Sequence, residues 1–357
     1  MLVEHSFMSY PDRRTTFSIF DGKNETIRNG LDYRLFPDTI CYIKDFIYSL
    51  YGVIFYPHRF YIYFGCGGFN VIAGLILKLL GRVKKVVFYT IDFTPRRFDN
   101  FYLNRLYMLI DKICVTFADR TWNLSSRMAE GREKYNNMPV DRFKKQRVVP
   151  IGIWRDELPE HRKKIINKKV LVFCGDLSET QGIQLVLEAM PEIIKRIPDF
   201  KFLIIGNGSY KPVLLERARD LNIEKNVEFT GPVYDSKKLR EILCVCRIGV
   251  ALYKEDNLSN VYFADVTKPK TYLSCGLPLI ITKMPSIHKL VAENGLGIVI
   301  NYEEDELIGA ILKLMTDDNL YSACKRNAEK FIMNLDWNNI FNLALKELED
   351  ARSKVAL

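Results

Sequence analysis

The sequence predicts an α/β protein of two halves, each built on a parallel β-sheet flanked by helices. Three observations carry that prediction. From residue 166 onward, short apolar runs alternate with segments of helical period. Each run is apolar at successive positions, as strands buried on both faces are. A less regular series of the same kind fills the first 150 residues, and a stretch dominated by charged side chains, residues 155–169, separates the two. That stretch has the composition of a solvated linker.

In the second half the expected strands are 169–174, 202–205, 227–230, 248–253, 279–282 and 298–300. The helices between them are 183–196, 213–221, 239–246, 271–275 and one that follows Pro285. In the first of these, Ile183, Val186, Leu187, Met190, Ile193 and Ile194 recur at helical spacing. Strands that alternate with helices in this way make a doubly wound parallel sheet, here of six strands. Helical stretches 304–316, 318–334 and 337–352 close the chain.

The first half yields strand candidates 2–5, 60–64, 86–90, 120–123 and 148–150, with helix candidates 39–52, 69–80, 100–117 and 126–136. Residues 9–38 are polar and Arg-rich and show no usable period. Phe60 to Leu77 is an uncharged run of 18 residues that imitates a membrane span. Gly65-Cys-Gly-Gly68 breaks it, so a buried strand, turn and helix is the expected reading. The expected division is a first domain over 1–157, a linker over 158–169 and a second domain over 170–334. A final helix, 335–357, is expected to pack back on the first domain.

Composition excludes whole classes. At 357 residues, 48% hydrophobic and 27% charged, the chain is neither disordered nor of low complexity. Its net charge of +9 is uneven: residues 1–165 hold 27 Lys/Arg against 17 Asp/Glu and 29 of the 44 aromatic residues. That half is expected to meet something acidic. The eight cysteines are scattered, with no C-x-x-C pair and no Cys/His cluster, which points to buried reduced thiols in a reducing compartment. The amino-terminal residues lack the apolar core of a signal peptide.

Two such sheets leave a cleft between their strand ends, and ligands of these folds bind there. Four loops face that expected cleft. Gly175-Asp176-Leu-Ser-Glu-Thr-Gln181-Gly joins a strand to a helix but carries no P-loop pattern. Gly206-Asn207-Gly208 is a tight strand-to-helix turn. Asp265-Val-Thr267-Lys268-Pro-Lys270-Thr271 opens a helix, because Pro269 suits a first helical turn. Lysines are unfavourable at the positive end of a helix dipole unless an anion sits there; the alternative is a solvated basic turn. In the first half, Asp92 follows a buried strand and precedes Arg96 and Arg97. Asp92 either contacts sugar hydroxyls or acts as a base, or it pairs with one of those arginines. The Gly67-Gly68 turn admits a close ligand, or close packing of strand and helix.

Taken together, these segments resemble nucleotide-sugar glycosyltransferases of the GT-B fold, particularly the family 4-like retaining enzymes. The resemblance rests on Phe173-Cys-Gly to Gly182, Phe202-Leu-Ile-Ile-Gly-Asn-Gly208, Val227-Glu-Phe-Thr-Gly231 and Tyr272-Leu-Ser-Cys-Gly-Leu-Pro278. Upstream, Asp119-Arg-Thr-Trp-Asn-Leu-Ser125 and Val149-Pro-Ile-Gly152 resemble the end of the family's first domain and its hinge. The resemblance implies two Rossmann-like domains facing each other across a cleft. It also implies sugar transfer from a nucleotide diphosphate to a hydroxyl of a glycan or lipid-linked acceptor, with retention. Departures are specific. The family's Arg and Lys in the first donor loop are absent here, and its E-x7-E carboxylates fall at Phe263 and Thr271. Its first-domain histidine falls at Ile91.

Either Lys268 and Lys270 neutralise the diphosphate in a divergent enzyme, or the chain is an inactive subunit that scaffolds a partner at the membrane. On the first reading Asp92 and Asp265 are the catalytic candidates. Gly175, Asp176, Gln181, Asn207, Gly208, Thr267, Lys268, Lys270 and Thr271 bind the donor. Gly67, Gly68, Arg96 and Arg97 lie on the acceptor side. No metal or other cofactor is expected beside the nucleotide-sugar co-substrate, and nucleic acid is not an expected partner. A dinucleotide dehydrogenase is excluded by the lack of any G-x-G-x-x-G after a strand. The expected location is cytoplasmic, with the basic half docked peripherally on an anionic membrane through Arg13, Arg14, Arg82, Lys84, Lys85, Arg96 and Arg97.

Overall fold

The computed structural model describes residues 1–5, 15–22, 24–29, 38–159 and 169–350, and the chain divides after Val148 into two compact units. Most of the expected linker, and Arg13 and Arg14, lie outside the described residues.

The first unit opens with strands β1 (Leu2–His5), β2 (Thr15–Asp21) and β3 (Asn24–Asn29), an antiparallel sheet in that order. Two strands thus lie within 9–38, where the sequence shows no usable period. Their period is hidden because polar Thr15 and Ser18, on opposite faces of β2, are both buried, whereas Phe20 and Ile27 face solvent. Asp21 pairs with Asn24 at the end of the hairpin, and Gly22 follows in the turn at a φ of 61°.

A parallel sheet follows. Its elements are α1 (Asp38–Ile54), β4 (Phe60–Cys66), α2 (Gly68–Leu79), β5 (Val83–Thr90), α3 (Phe101–Phe117), β6 (Arg120–Asn123), α4 (Ser126–Asn136) and β7 (Gln146–Val148). The strands pair in chain order, β4-β5-β6-β7. The uncharged run 60–77 thus forms β4 and most of α2, and no described helix is long and apolar enough to cross a membrane. Asn100 starts α3 by accepting hydrogen bonds from the N–H groups of Tyr102 and Leu103. Val71, Leu77, Val86, Phe88 and Cys114 form the core between α2, α3 and the sheet.

The second unit contains β8 (Val170–Cys174), α5 (Ile183–Arg196), β9 (Lys201–Ile205), α6 (Lys211–Asp220), β10 (Val227–Gly231), α7 (Ser236–Leu243) and β11 (Ile248–Ala251). Then come α8 (Asn260–Phe263), α9 (Thr267–Ser274), β12 (Leu279–Thr282), α10 (His288–Glu293), β13 (Gly297–Ile300), α11 (Glu304–Thr316), α12 (Asp318–Ile332) and α13 (Trp337–Asp350). All pairings are parallel, in the order β10-β9-β8-β11-β12-β13. Counted from the first strand of the unit, this is the 3-2-1-4-5-6 order of a doubly wound sheet, whose direction reverses between β8 and β11.

Ile183, Val186, Leu187, Met190 and Ile193 of α5 are all buried against β8, β9 and α11. A second cluster, including Val172, Tyr272, Leu273, Leu279 and Ile281, fills the opposite side of the sheet. Residues 151–154 are fastened to the start of α13: Ile153 N–H donates to Leu335 O (2.7 Å), and Trp337 N–H donates to Ile153 O (3.2 Å).

Candidate functional site

A sheet that reverses between β8 and β11 leaves a crevice outside the carboxyl ends of those two strands. The crevice here is shaped by backbones in close contact. The loops that leave β8 and β9 are bonded together, Leu177 N–H to Asn207 O (3.0 Å) and Tyr210 N–H to Leu177 O (3.0 Å). A Cβ on Gly206 would lie 1.8 Å from Gly175 O, and one on Gly208 would lie 2.4 Å from Leu177 O. Only glycine lets the two turns approach this closely.

Lys268, in the first turn of α9, reaches into this crevice. Its Nζ lies 3.8 Å from the centroid of the Phe173 ring and 5.3 Å from that of Tyr253, and it donates to Gln181 Oε1 at 2.6 Å. Its stem passes beside Gly175. Among the described residues no carboxylate forms an ion pair with it, and Val266 gives α9 no side-chain cap. Burial therefore pushes the Lys268 ammonium down to about 7, against the opposing influence of Cys174 and Asp176. Gly175, Asp176, Gln181 and Lys268 are thus brought together. Asn207 is exposed on the adjoining turn and Gly208 packs beneath it. Thr267 is exposed at the start of α9, and Thr271 donates its hydroxyl to Thr267 O at 3.2 Å.

Lys270 points elsewhere. It forms a buried ion pair with Asp265 and donates to Ile151 O, while Asp265 Oδ2 accepts from Ile151 N–H at 2.7 Å. Burial raises Asp265 and lowers Lys270. Both residues are engaged with one another and with the backbone of residue 151, which anchors α9 to the start of the second unit.

Tyr272 is an anchor that sequence reasoning did not single out. Its hydroxyl accepts the Cys174 N–H at 2.7 Å, and its ring fills the space that a side chain on Gly249 would need. The available signal was spacing: Lys268 and Tyr272 are four apart and share one face of α9.

The remaining candidates lie in the first unit. Asp92 pairs with Arg97 through Oδ2, while its Oδ1 is buried without a hydrogen-bond partner. Arg96 pairs with Asp99 at 3.0 Å on the surface. Gly67 caps α2 at a φ of 84°, and Gly68 lies where a Cβ would strike Ile110, so the turn packs α2 against α3. Sequence reasoning also missed Arg132, which is fully buried. It donates to Asp111 (Nε to Oδ2, 2.9 Å; Nη2 to Oδ1, 2.8 Å), Asn123 Oδ1 (2.7 Å), Gln146 Oε1 (3.0 Å) and Thr90 Oγ1 (3.0 Å). Its guanidinium also faces the Phe93 ring at 4.9 Å, so it holds both flanks of Asp92. Among the described residues no group of three or more His, Cys, Asp or Glu is placed to hold a metal ion.

Comparison with known proteins bears on the fold and on the second unit. Residues 168–317 match the family model described as glycosyl transferases group 1. The chain is 27% identical over 186 residues to the alpha-monoglucosyldiacylglycerol synthase of Streptococcus pneumoniae, with 48% of this chain and 40% of that protein covered. It is 23% identical over 269 residues to the chitobiosyldiphosphodolichol beta-mannosyltransferase of Debaryomyces hansenii, with 67% and 56% covered. The chain therefore spans about half the length of these curated relatives. The crystal structure of Anabaena Alr3699/HepE in complex with UDP shares the fold, with a TM-score of 0.67, 16% identity, and 86% of this chain and 82% of that chain covered. The second unit accordingly carries a group 1 glycosyl transferase domain, in a chain with the two-domain Rossmann-like GT-B fold.

Proposed function

We propose that the protein transfers a sugar from a nucleotide-diphosphate donor to a hydroxyl acceptor, and that Lys268 meets the diphosphate. The observation that carries this reading is the position of Lys268 at the reversal point of the sheet, with an amide oxygen and two rings for neighbours and, among the described residues, no ion-pair partner. An ammonium held in such surroundings is poised for an incoming anion, and the uncapped N–H groups of α9 point the same way. The match to group 1 glycosyl transferases supports it, as does the UDP bound by the Anabaena protein of the same fold.

As the bond to the sugar breaks, negative charge grows on the departing diphosphate. A fixed cation there stabilises the transition state more than the ground state. Gln181, which holds the ammonium in its absence, becomes free to contact the donor. Asp92, with one buried unpartnered oxygen, accepts a hydroxyl of the reacting sugar or acceptor. Asp265 and Lys270 act through structure, holding α9 at the angle that aims Lys268. We read the transfer as retaining, on the family 4-like resemblance of the donor-site segments. The two curated relatives are named as alpha- and beta-transferases, so the anomeric configuration of the product, read by NMR, decides this point.

The experiment is calorimetric titration of a panel of nucleotide-diphosphate sugars into wild type and Lys268→Ala. The expected result is saturable binding of at least one donor, weakened at least tenfold in the variant. Equal affinity in the two proteins would remove Lys268 from the site, and no binding across the panel would favour a non-catalytic scaffold.

A further inference from the structure

Helices α1, α2 and α3 of the first unit lie side by side on one face of its sheet. Their outward positions are apolar. In α1 the exposed residues Ile43, Ile47 and Tyr51 recur every four positions, and Phe55 continues the row, its ring 4.7 Å from that of Tyr51. In α3, Tyr102, Leu106 and Leu109 are likewise exposed on one stripe. A helix layer of a water-exposed protein normally turns a charged face outward. This one does not. Carboxylates are missing from α2 altogether, and past Asp38, the first residue of α1, those of the layer are Asp45 and Asp111, tied to Lys44 and Arg132.

The apolar surface comes to a point at one edge. Leu79 and Leu80, at the end of α2, are 88% and 59% exposed, and Phe55, at the end of α1, is 70% exposed. These two helix ends are stapled together by Arg82, which donates to the carbonyls of Val53 (3.1 Å) and Tyr56, while Phe60 N–H donates to Arg82 O (3.0 Å). Arg82 is therefore spent on the fold. Two exposed cations lie close by in the chain instead: Arg59, four residues after Phe55, and Lys84, two residues after Arg82, its Nζ 5.6 Å from the centroid of the Tyr61 ring.

We propose that this edge seats on an anionic lipid surface, Phe55, Leu79 and Leu80 entering the interface and Arg59 and Lys84 meeting the headgroups. Exposed leucines at a rigid edge, with the one nearby carboxylate, Asp119, paired to Lys78 and with the exposed cations Arg59 and Lys84 close in the chain, match a surface that is apolar below and negative above. No described helix is suited to cross the bilayer, so the contact is peripheral. The charge excess of the first half acts in the same direction. The inference does not depend on the transfer reaction, which involves other residues.

The test is co-sedimentation of the full chain with vesicles of phosphatidylglycerol and phosphatidylcholine, against vesicles of phosphatidylcholine alone. The chain is expected in the pellet with the anionic vesicles, in an amount that falls as salt rises. Leu79→Asp with Leu80→Asp, and separately Arg59→Glu with Lys84→Glu, are expected to lower the bound fraction at least tenfold with an unchanged melting temperature. Wild type remaining in the supernatant, or the leucine variant pelleting as wild type does, overturns the proposal. So does a wild-type dimer in solution that the leucine variant splits, because a second copy of the chain then covers the edge. Nucleotide-sugar titration of the same samples separates this inference from the transfer reading: a variant that has left the vesicles but still binds donor supports both.

Discussion

Lys268 Nζ sits 3.8 Å from the ring centroid of Phe173, held there by Gln181 Oε1 at 2.6 Å. Phe173 is the penultimate residue of β8, and Lys268 belongs to the first turn of α9. Two elements nearly a hundred residues apart thus place one ammonium against one aromatic face, at the reversal point of the sheet. A cation over a ring is attracted by the ring's negative face, but this does not restore the lost hydration.

The first prediction concerns pH. In the ligand-free protein burial holds Lys268 near 7, and a bound diphosphate raises it by pairing with the charged form. Donor affinity should be full below about pH 7 and fall as pH rises above it, by up to about tenfold per unit. Lys268→Arg, charged throughout, should flatten the profile. Calorimetry at pH 6, 7 and 8 checks it. For the ligand-free fold the sign reverses. Between about 7 and the ordinary lysine range the unfolded chain binds more protons at this group, so stability gains from Lys268 as pH rises. Wild type should therefore gain relative to Lys268→Met across that window.

A second prediction addresses the buried pair. Asp265→Ala leaves Lys270 buried without its carboxylate and should cost about 3–5 kcal/mol, read by urea denaturation. Lys270→Met with Asp265→Leu should recover much of that loss, because an apolar pair carries no desolvation penalty. A double variant as unstable as the single would show that the bonds to Ile151, more than the ion pair, hold α9 in place.

Arg132 provides a third test. Its five N–H groups are all used on Asp111, Asn123, Gln146 and Thr90. Arg132→Met should destabilise by about 3–5 kcal/mol through the stranded Asp111 carboxylate. Arg132→Lys should fail to rescue it, because a compact ammonium cannot reach partners spread around a planar fork. Thermal melting of the two variants reads both outcomes.

The last prediction separates binding from chemistry. Asp92→Asn keeps the shape of the loop but loses the negative charge. Transfer rate should fall about 10²- to 10⁴-fold, the range for a lost acid–base group, while calorimetric donor affinity stays within twofold. Arg97→Ala removes the partner of Asp92 Oδ2 and should leave donor affinity equally unchanged.

Much of the fold was legible because each segment carries its own period. The apolar run Val170–Cys174 and the helical spacing of Ile183, Val186, Leu187, Met190 and Ile193 were readable without a partner. The hairpin of β2 and β3 was not, because Thr15 and Ser18, on opposite faces of β2, are both buried, so no apolar period-2 face marks the strand. Arg132 was equally silent: a lone arginine in a polar helix looks solvated until Asp111, Asn123 and Gln146, from three other elements, close around it.

The sequence by itself determined that strands and helices alternate in two series, and that cations gather at the start of α9. Tertiary structure decided which cation is available. Lys268 and Lys270 are two residues apart, about 200° around a helix, and so face opposite ways. One side of α9 meets Asp265 and the Ile151 backbone; the other meets Phe173, Gln181 and the crevice between β8 and β11. Local sequence is the same for both lysines, and only the packing of α9 against elements distant in the chain tells them apart.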